Sequence, residues 1–290
     1  MRIVFAGTAT FGQPTLNQLR DAGHEIALVV TQPDRVAGRG LRVLQSGTKL
    51  LALKMSLEVF QPERIRDEAA QARIRQVGAD VTVVVAYGQI LPASLINAPR
   101  LGTLNVHASL LPRHRGPAPI EWSILSGDTE SGVTIMQMDA GVDTGPILAQ
   151  ARVPLAPDAT AGPLEGQLAD LGARLMVRTL DDFAAGRVTP VPQPAEGATH
   201  APRLRSEDGK LDPTTMSAQE IDRRVRALSE RLGCWITLDG AEVKVFRGHL
   251  DGEPADGIGV STADGVYVVD EVQPPGGRRM PAAAWVRGRR

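Results

Sequence analysis

The first two thirds of the chain alternate short apolar runs with stretches whose apolar residues recur at helical spacing. The runs typical of strands lie at residues 2–6, 25–31, 57–59, 79–86, 103–107 and 133–138. Helical spacing is found over residues 12–22, 47–56, 67–77, 119–125 and 163–185. The run at 79–86 is rich in β-branched residues, as in a central parallel strand that is covered on both faces. This alternation predicts an α/β fold with a doubly wound parallel sheet.

The pattern changes after residue 186. Residues 186–197 contain spaced prolines and glycines, a composition typical of an extended linker. Ser217, with Glu220 three residues later, predicts the capped start of a helix over residues 217–231. Short strands are predicted at residues 235–238, 243–247, 257–261 and 266–272, a pattern typical of a small β-barrel. We therefore predict a first domain at residues 1–186, a linker at 187–203 and a barrel domain at 204–290.

Composition and charge narrow the function only slightly. The chain is 42% hydrophobic and 22% charged, which is ordinary for a globular protein. Its formal net charge is −1, so any nucleic-acid partner would have to be bound by local basic clusters. The single Cys234 excludes an internal disulfide and argues against a cysteine metal site. Without a leader-like start or a run of about 18 apolar residues, the sequence predicts a cytoplasmic protein with no membrane contact.

Three polar residues form the candidate catalytic group. Asn105 and His107 are two residues apart at the end of a predicted strand, so their side chains share one face. Asp143 stands between Gly141 and Gly145, in a segment that can approach a substrate closely. An amide, an imidazole and a carboxylate can hold a carbonyl oxygen as it becomes an oxyanion and can remove a proton from an attacking amine. No serine or cysteine stands where a nucleophile is needed, so we predict direct acyl-type transfer.

Asp139 is the rival carboxylate, four residues before Asp143. If its segment is a strand, Asp139 is structural, whereas Asp143 lies in a loop of the kind that carries functional groups. The sequence therefore favours Asp143.

Several motifs follow one another along nearly the whole chain. They are Phe5-Ala-Gly7-Thr8, Thr31-Gln-Pro-Asp34, Gly38-Arg-Gly40, Val83-Val-Val-Ala-Tyr87-Gly88, Asn105-Val-His107-Ala-Ser-Leu-Leu-Pro112, Arg115-Gly-Pro-Ala-Pro119, Gly132-Val-Thr-Ile-Met136-Gln-Met-Asp139-Ala-Gly-Val-Asp143-Thr-Gly145 and Glu271-Val-Gln-Pro-Pro-Gly-Gly277. Each alone is weak, but the ordered set is specific. By these motifs the chain resembles the folate-dependent formyltransferases, most closely those that act on methionyl-tRNA.

The resemblance implies a Rossmann-like formyltransferase domain at residues 1–186, followed by an OB-like tRNA-binding domain at 204–290. It implies that a monomer transfers the formyl group of 10-formyltetrahydrofolate, without a metal, to the α-amine of initiator methionyl-tRNA for translation initiation. It assigns catalysis to Asn105, His107 and Asp143. In these roles Asn105 donates to the formyl oxygen, His107 stabilises the same oxygen and relays protons, and Asp143 orients His107.

The resemblance also assigns binding residues. Folate is expected at two loops, through Ser109, Leu110, Leu111, Pro112, Tyr87 and Gly88. The acceptor end of the tRNA is expected at residues 32–49, through Arg35, Arg39, Arg42 and Lys49. By composition alone, residues 32–49 could equally be a solvated, mobile loop. Residues 43–48 lack the Ser-Pro that is usual in the family, and residues 230–235 stand where a Pro-rich turn is typical.

Two other functions fit parts of the sequence. An amino-sugar nucleotide formyltransferase would keep the same chemistry, and the arginine-rich segment after Gln32 favours tRNA over that acceptor. A non-catalytic RNA-binding module on a decayed α/β scaffold is the second, and the intact Asn105, His107 and Asp143 argue against it.

His107 and His114 with one carboxylate would make a poor metal site.

Overall fold

The computed structural model describes residues 1–37, 42–238, 240–250 and 257–288, and only the backbone of residues 36, 37 and 42. By contacts between α-carbons, the chain divides into two compact units. Unit 1 comprises Met1–Gly116, Gly132–Val153 and Glu165–His200, and unit 2 comprises Pro117–Ser131, Pro154–Leu164 and Ala201–Arg290. The predicted linker is thus grouped with unit 1 as far as His200, and the domain boundaries stay a prediction.

A seven-stranded sheet is the framework for the candidate site. The first nine strands are Arg2–Gly7 (β1), Glu25–Val30 (β2), Arg35–Ala37 (β3), Arg42–Leu44 (β4), Val59–Phe60 (β5), Val81–Val85 (β6), Thr103–His107 (β7), Glu130–Gln137 (β8) and Ile147–Pro154 (β9). The order in the sheet is β5-β2-β1-β6-β7-β8-β9. Strands β1, β2, β5, β6 and β7 are parallel, and β8 runs antiparallel to β7. The predicted α/β fold is confirmed.

The helices agree closely with the sequence periodicity. They are Gln13–Asp21 (α1), Gly47–Lys54 (α2), Glu68–Gln76 (α3), Ala93–Ile96 (α4), Pro119–Leu125 (α5), Ala161–Ala184 (α6), Ala218–Leu228 (α7) and Ala282–Arg287 (α8). Helix α7 begins with the predicted capping box, in which Ser217 and Glu220 hydrogen-bond each other's backbone N–H. The short α4 and α8 were not predicted, because single-turn helices leave little periodicity. Within the described residues, no helix combines the length and apolar character needed to cross a bilayer.

The central strands are buried, as their composition predicts. Every residue of β6 is buried, and so is every residue of β7. An apolar cluster that includes Val4, Leu28, Val84, Tyr87 and Leu91 packs in this region. Strand β9 was missed because its residues alternate irregularly between buried and half-exposed positions. Strands β3 and β4 form a two-stranded antiparallel hairpin where the sequence predicted only a loop.

Unit 2 contains a curled antiparallel sheet, consistent with the small OB-like barrel that was predicted. Its strands are Cys234–Leu238 (β10), Ala241–Leu250 (β11), Ile258–Ser261 (β12), Val266–Gln273 (β13) and Met280–Pro281 (β14). Their order is β10-β11-β13-β12, and β14 also pairs with β13. Cys234 is buried, and burial raises the pKa of its thiol to about 12, so the thiol stays neutral at ordinary pH.

Candidate active site

The three candidate catalytic residues lie together at the carboxyl end of β7. Asn105 and His107 are both more than nine-tenths buried, on the same face of the strand. Asp143 comes from the loop between β8 and β9. Its Oδ1 accepts a hydrogen bond from Asn105 Nδ2 at 3.5 Å, and its Oδ2 lies 3.7 Å from His107 Nδ1. The fold therefore brings together Asn105 and Asp143, which are 38 residues apart in the sequence.

The orientation of His107 determines which ring nitrogen faces Asp143. Its Nε2 lies 2.9 Å from the backbone carbonyl oxygen of His114. A carbonyl oxygen only accepts, so Nε2 carries the hydrogen and donates it. The free position, Nδ1, points towards Asp143. His107 can therefore take up a proton at Nδ1 without losing the hydrogen bond that holds the ring.

Asp143 is held in a backbone conformation that few residues adopt. Its φ angle is +53°, in the left-handed region. Gly116 N–H donates to Asp143 Oδ2 at 2.9 Å and fixes the carboxylate. A β-carbon on Gly145 would collide with the carbonyl oxygen of Gln137, so the loop requires glycine there. The loop therefore presents one carboxylate to His107 in a defined position.

Asp139 has a different set of partners. Its Oδ1 accepts from Gly141 N–H at 3.0 Å and from Thr144 Oγ1 at 2.8 Å, all within its own exposed loop. This pattern is that of an aspartate stabilising a turn.

The loop after β7 contains four of the expected folate residues. Thr134 Oγ1 donates to Ser109 O at 2.7 Å and accepts from Leu111 N–H at 3.1 Å. Gln150 Nε2 reaches both Leu111 O, at 2.8 Å, and Thr134 Oγ1, at 2.9 Å. Ser109 Oγ donates to Arg113 O at 2.7 Å, so this hydroxyl stabilises its own loop. Leu110 is half-buried beside this network, and the Leu111–Pro112 peptide bond is cis.

The other two expected folate residues follow β6, the neighbour of β7 in the sheet. The Tyr87 side chain is 2% exposed and lies in the apolar core, and burial raises its pKa to about 12. Its backbone carbonyl oxygen accepts hydrogen bonds from Thr8 Oγ1 at 2.8 Å and from Gln32 Nε2 at 3.3 Å. Gly88 is exposed with a φ of +87°. The loops after β6 and β7 thus leave the same edge of the parallel sheet, where open α/β sheets bind ligands.

The expected tRNA residues that the structure describes lie on or beside β3 and β4. Arg35 is exposed on β3, with Nη2 3.5 Å from Gln32 Oε1. Arg39 lies outside the described residues, and the side chain of Arg42 on β4 is not described either. Lys49 Nζ lies 2.6 Å from Asp34 Oδ2, and its side chain is only 13% exposed. The ion pair between Lys49 and Asp34 therefore stabilises the base of the hairpin, because Asp34 immediately precedes β3.

Some residues that support this site were not predicted from the sequence. They are Thr134, Gln150, Gly116, Gln193 and Thr199, and each forms side-chain or backbone hydrogen bonds to the loops that carry the candidate catalytic and folate residues. Isolated hydrogen-bonding residues have no periodicity, and the only signal at Gln193 was a polar residue between two prolines. Among the residues that the structure describes, no group of three or more His, Cys, Asp or Glu side chains could hold a metal ion.

Comparison with known proteins places this geometry in a family. Residues 1–180 match the family model "Formyl transferase", and residues 203–290 match "Formyl transferase, C-terminal domain". The methionyl-tRNA formyltransferase of Halorhodospira halophila is 45% identical over 100% of this chain and 96% of its own. That of Nitrosospira multiformis is 44% identical over 99% of this chain and 96% of its own.

Solved structures share the fold at lower sequence identity. An N-formyltransferase from Helicobacter canadensis, in complex with folinic acid and dTDP-3-aminofucose, has a TM-score of 0.68 at 17% identity and covers 96% of this chain and 99% of its own. HypX from Aquifex aeolicus, in complex with tetrahydrofolic acid, has a TM-score of 0.67 at 18% identity and covers 99% of this chain and 47% of its own. From the family models and the full-length relatives together, the chain belongs to the formyl transferase family, in the group of the methionyl-tRNA formyltransferases.

Proposed function

We propose that this protein transfers the formyl group of 10-formyltetrahydrofolate to the α-amine of initiator methionyl-tRNA. The observation that carries the proposal is the cluster of Asn105, His107 and Asp143 in a chain that is 45% identical, over its whole length, to a methionyl-tRNA formyltransferase. The product, N-formylmethionyl-tRNA, serves translation initiation. The cytoplasm is the corresponding proposal for where the protein acts, and a monomer for its oligomeric state.

The site residues fit an activated formyl group. The α-amine attacks the formyl carbon of the co-substrate directly, and the bond between that carbon and the folate nitrogen breaks when the oxyanion collapses. The proton that the amine loses is held at His107 and passes to the folate nitrogen, so tetrahydrofolate leaves as a neutral amine. The Asn105 amide donates to the formyl oxygen, on which negative charge develops during attack. His107 takes up a proton at Nδ1 while its Nε2–H remains bound to His114 O, and the charged ring stabilises the same oxygen. Asp143, 3.7 Å from Nδ1, stabilises that charged ring and helps to remove the proton from the amine.

The proposed folate site lies between the loops after β6 and β7. In the sheet order, β2 and β5 lie on one side of β1, and β6 and β7 on the other, so the direction of winding reverses between β1 and β6, beside the proposed site. Ligands of open α/β sheets bind at such a reversal. Because the Tyr87 ring is in the core and Ser109 Oγ is bonded within its loop, we propose that these residues contribute backbone groups. Leu110, Leu111, Pro112 and Gly88 complete the slot.

The acceptor is proposed to be bound by the hairpin and by residues 204–290. Arg35 on β3 and Arg42 on β4, with Arg39 between them in the sequence, would contact phosphates of the tRNA acceptor end, because guanidinium groups pair well with phosphate. Lys49 is proposed to act in part through Asp34, by fixing the base of the hairpin. Residues 1–186 are proposed as the catalytic domain and 187–203 as the segment that leads from it.

The direct test is formylation by the purified full chain. With 10-formyltetrahydrofolate, we expect formylation of charged initiator methionyl-tRNA and no reaction with a dTDP-amino sugar. His107→Ala serves as the matched inactive protein, and loss of one oxyanion-stabilising group typically lowers kcat by about 10²–10³. Formylation of the amino sugar but not of methionyl-tRNA would reject the proposal in favour of the other acceptor class.

A further inference from the structure

The segment that follows α6 is hydrogen-bonded at several points to the loop of Asp143 and to the loop after β7. Residues 191–200, which we name the strap, contain no helix and pair only at isolated positions. Val191 N–H donates to Ile147 O at 2.8 Å, and Ile147 N–H donates to Val191 O at 2.7 Å. This pair fixes the strap beside β9, just after the loop that carries Asp143.

Gln193 connects the strap to the Asp143 loop. Its Nε2 donates to Asp143 O at 2.9 Å and to Gly145 O at 2.7 Å. Its Oε1 accepts from Arg115 Nε at 3.0 Å and Nη2 at 2.7 Å. One amide therefore joins the loop of Asp143 to the segment that begins at Arg115 and continues to Gly116, whose N–H binds the Asp143 carboxylate. These bonds therefore hold Asp143, whose backbone is left-handed, at its carbonyl oxygen and at its carboxylate.

Thr199 connects the strap to His107 through one intermediate residue. Thr199 Oγ1 accepts from His114 N–H at 2.8 Å, and the carbonyl oxygen of His114 accepts from His107 Nε2–H at 2.9 Å. His114 has a φ of +58°, a conformation that needs support from its surroundings. The backbone of Thr199 adds bonds to Pro112 O, at 3.3 Å, and from Arg115 N–H, at 2.9 Å.

We propose that the strap is a positioning element of the active site, in which Gln193 sets the place of Asp143 and Thr199 sets the ring of His107. The inference rests on the proposed function, because the reaction of that site is what the strap controls. Neither residue touches the reacting atoms. Gln193 acts on Asp143 and Thr199 acts on His107, and a displacement on the order of 1 Å in such groups can lower the rate by about 10²-fold.

Thr199 gives the first test. Thr199→Val removes the hydroxyl that accepts from His114 N–H and keeps the shape, whereas Thr199→Ser keeps the hydroxyl. We expect Thr199→Val to lower kcat about 10- to 100-fold, with both KM values within a few-fold of wild type, and Thr199→Ser to restore kcat. We also expect the pH profile of kcat to move in Thr199→Val, because the hydrogen bond at His107 Nε2 is no longer fixed.

Gln193 gives the second test. Gln193→Met removes both halves of the amide. Gln193→Glu keeps an acceptor for Arg115 but removes the donors to Asp143 O and Gly145 O. We expect both variants to lower kcat about 10- to 100-fold with a displaced pH profile, and Glu196→Ala, at an exposed position of the same strap, to behave as wild type.

Two outcomes would overturn the inference. The first is wild-type kcat and pH profile in Thr199→Val and Gln193→Met. The second is that these two variants have a lower melting temperature and fewer active molecules, keep the wild-type pH profile of kcat, and are not matched by a recovery of kcat in Thr199→Ser. Such a result would mean that the strap only stabilises the fold. A readout without substrate separates this inference from the proposed function. The ¹⁵N shifts of the His107 ring should report Nε2–H in wild type and a mixed tautomer population in Thr199→Val, whether or not tRNA is formylated.

Discussion

Replacing Asp143 with asparagine removes the charge of the proposed catalytic carboxylate and changes little else. The side chains have nearly the same shape, and the amide oxygen of Asn can still accept from Gly116 N–H, which Asp143 Oδ2 binds at 2.9 Å. The loop should therefore keep its fold. What is lost is the negative charge beside His107. Asp139→Asn is the matched control, because it makes the same change four residues earlier in a carboxylate whose hydrogen bonds, among the described residues, lie within its own turn.

The magnitude follows from the separation of the two charged groups. His107 Nδ1 and Asp143 Oδ2 are 3.7 Å apart, and the side chains are only 6% and 16% exposed. At that distance an effective dielectric constant of about 20 gives an interaction of about 4.5 kcal/mol between unit charges. The interaction is present only when the ring is charged, so its loss acts mainly on the transition state. A loss of about 4 kcal/mol corresponds to roughly a thousandfold in kcat.

The assay is formylation of methionyl-tRNA at saturating 10-formyltetrahydrofolate, with thermal unfolding measured on the same preparations. We expect Asp143→Asn to lose about a thousandfold in kcat with a melting temperature near that of wild type, and Asp139→Asn to stay within about threefold in kcat. If Asp139→Asn is the inactive variant, the wrong carboxylate has been assigned. If Asp143→Asn stays within about tenfold of wild type, charge stabilisation of His107 is not the role of Asp143.

Three further predictions concern the loops around the site. Thr134→Val should leave Leu111 N–H without its acceptor and lower the free energy of unfolding, measured in urea, by about 1–3 kcal/mol. It should also raise the KM for 10-formyltetrahydrofolate. An unchanged KM would show that this hydrogen-bond network does not support folate binding. The hydrogen bond from Lys49 is the main cause that holds the pKa of Asp34 below its usual value. The resulting stabilisation is fully present above an unfolded pKa of about 3.9 and is lost as the pH falls through the lower folded value. Asp34→Asn should therefore lose less stability than wild type between about pH 5 and pH 3, and an equal loss would contradict this assignment. Arg42→Leu should raise the KM for methionyl-tRNA or lower kcat, and should leave the dependence of the rate on 10-formyltetrahydrofolate unchanged. It should also reduce the salt dependence of tRNA binding by about one unit of log–log slope. Unchanged tRNA kinetics would mean that Arg42 lies on a solvated surface that does not bind tRNA.

The orientation of Tyr87 illustrates how far the sequence alone could lead. The motif around Tyr87 and Gly88 is correctly located at the end of a buried strand, because a continuous apolar run has no alternative but to be covered on both faces. Which way the tyrosine ring points depends on the elements that pack against that strand. Its burial among Val4, Leu28 and Leu91 keeps the ring out of the proposed folate slot, so only the backbone of Tyr87 is available there.

The sequence by itself determined most of the longer helices and the buried strands, and the shared face of Asn105 and His107, because both follow from local periodicity. The two-residue repeat of a strand places these side chains together wherever the strand lies. Only the tertiary structure decided what completes the site. Asp143 and Gln193 come from distant segments, and their composition indicates only that regular structure is interrupted. Single hydrogen bonds between distant residues leave no repeat in a sequence, so the carboxylate position and the strap that holds it emerge only when the chain is folded.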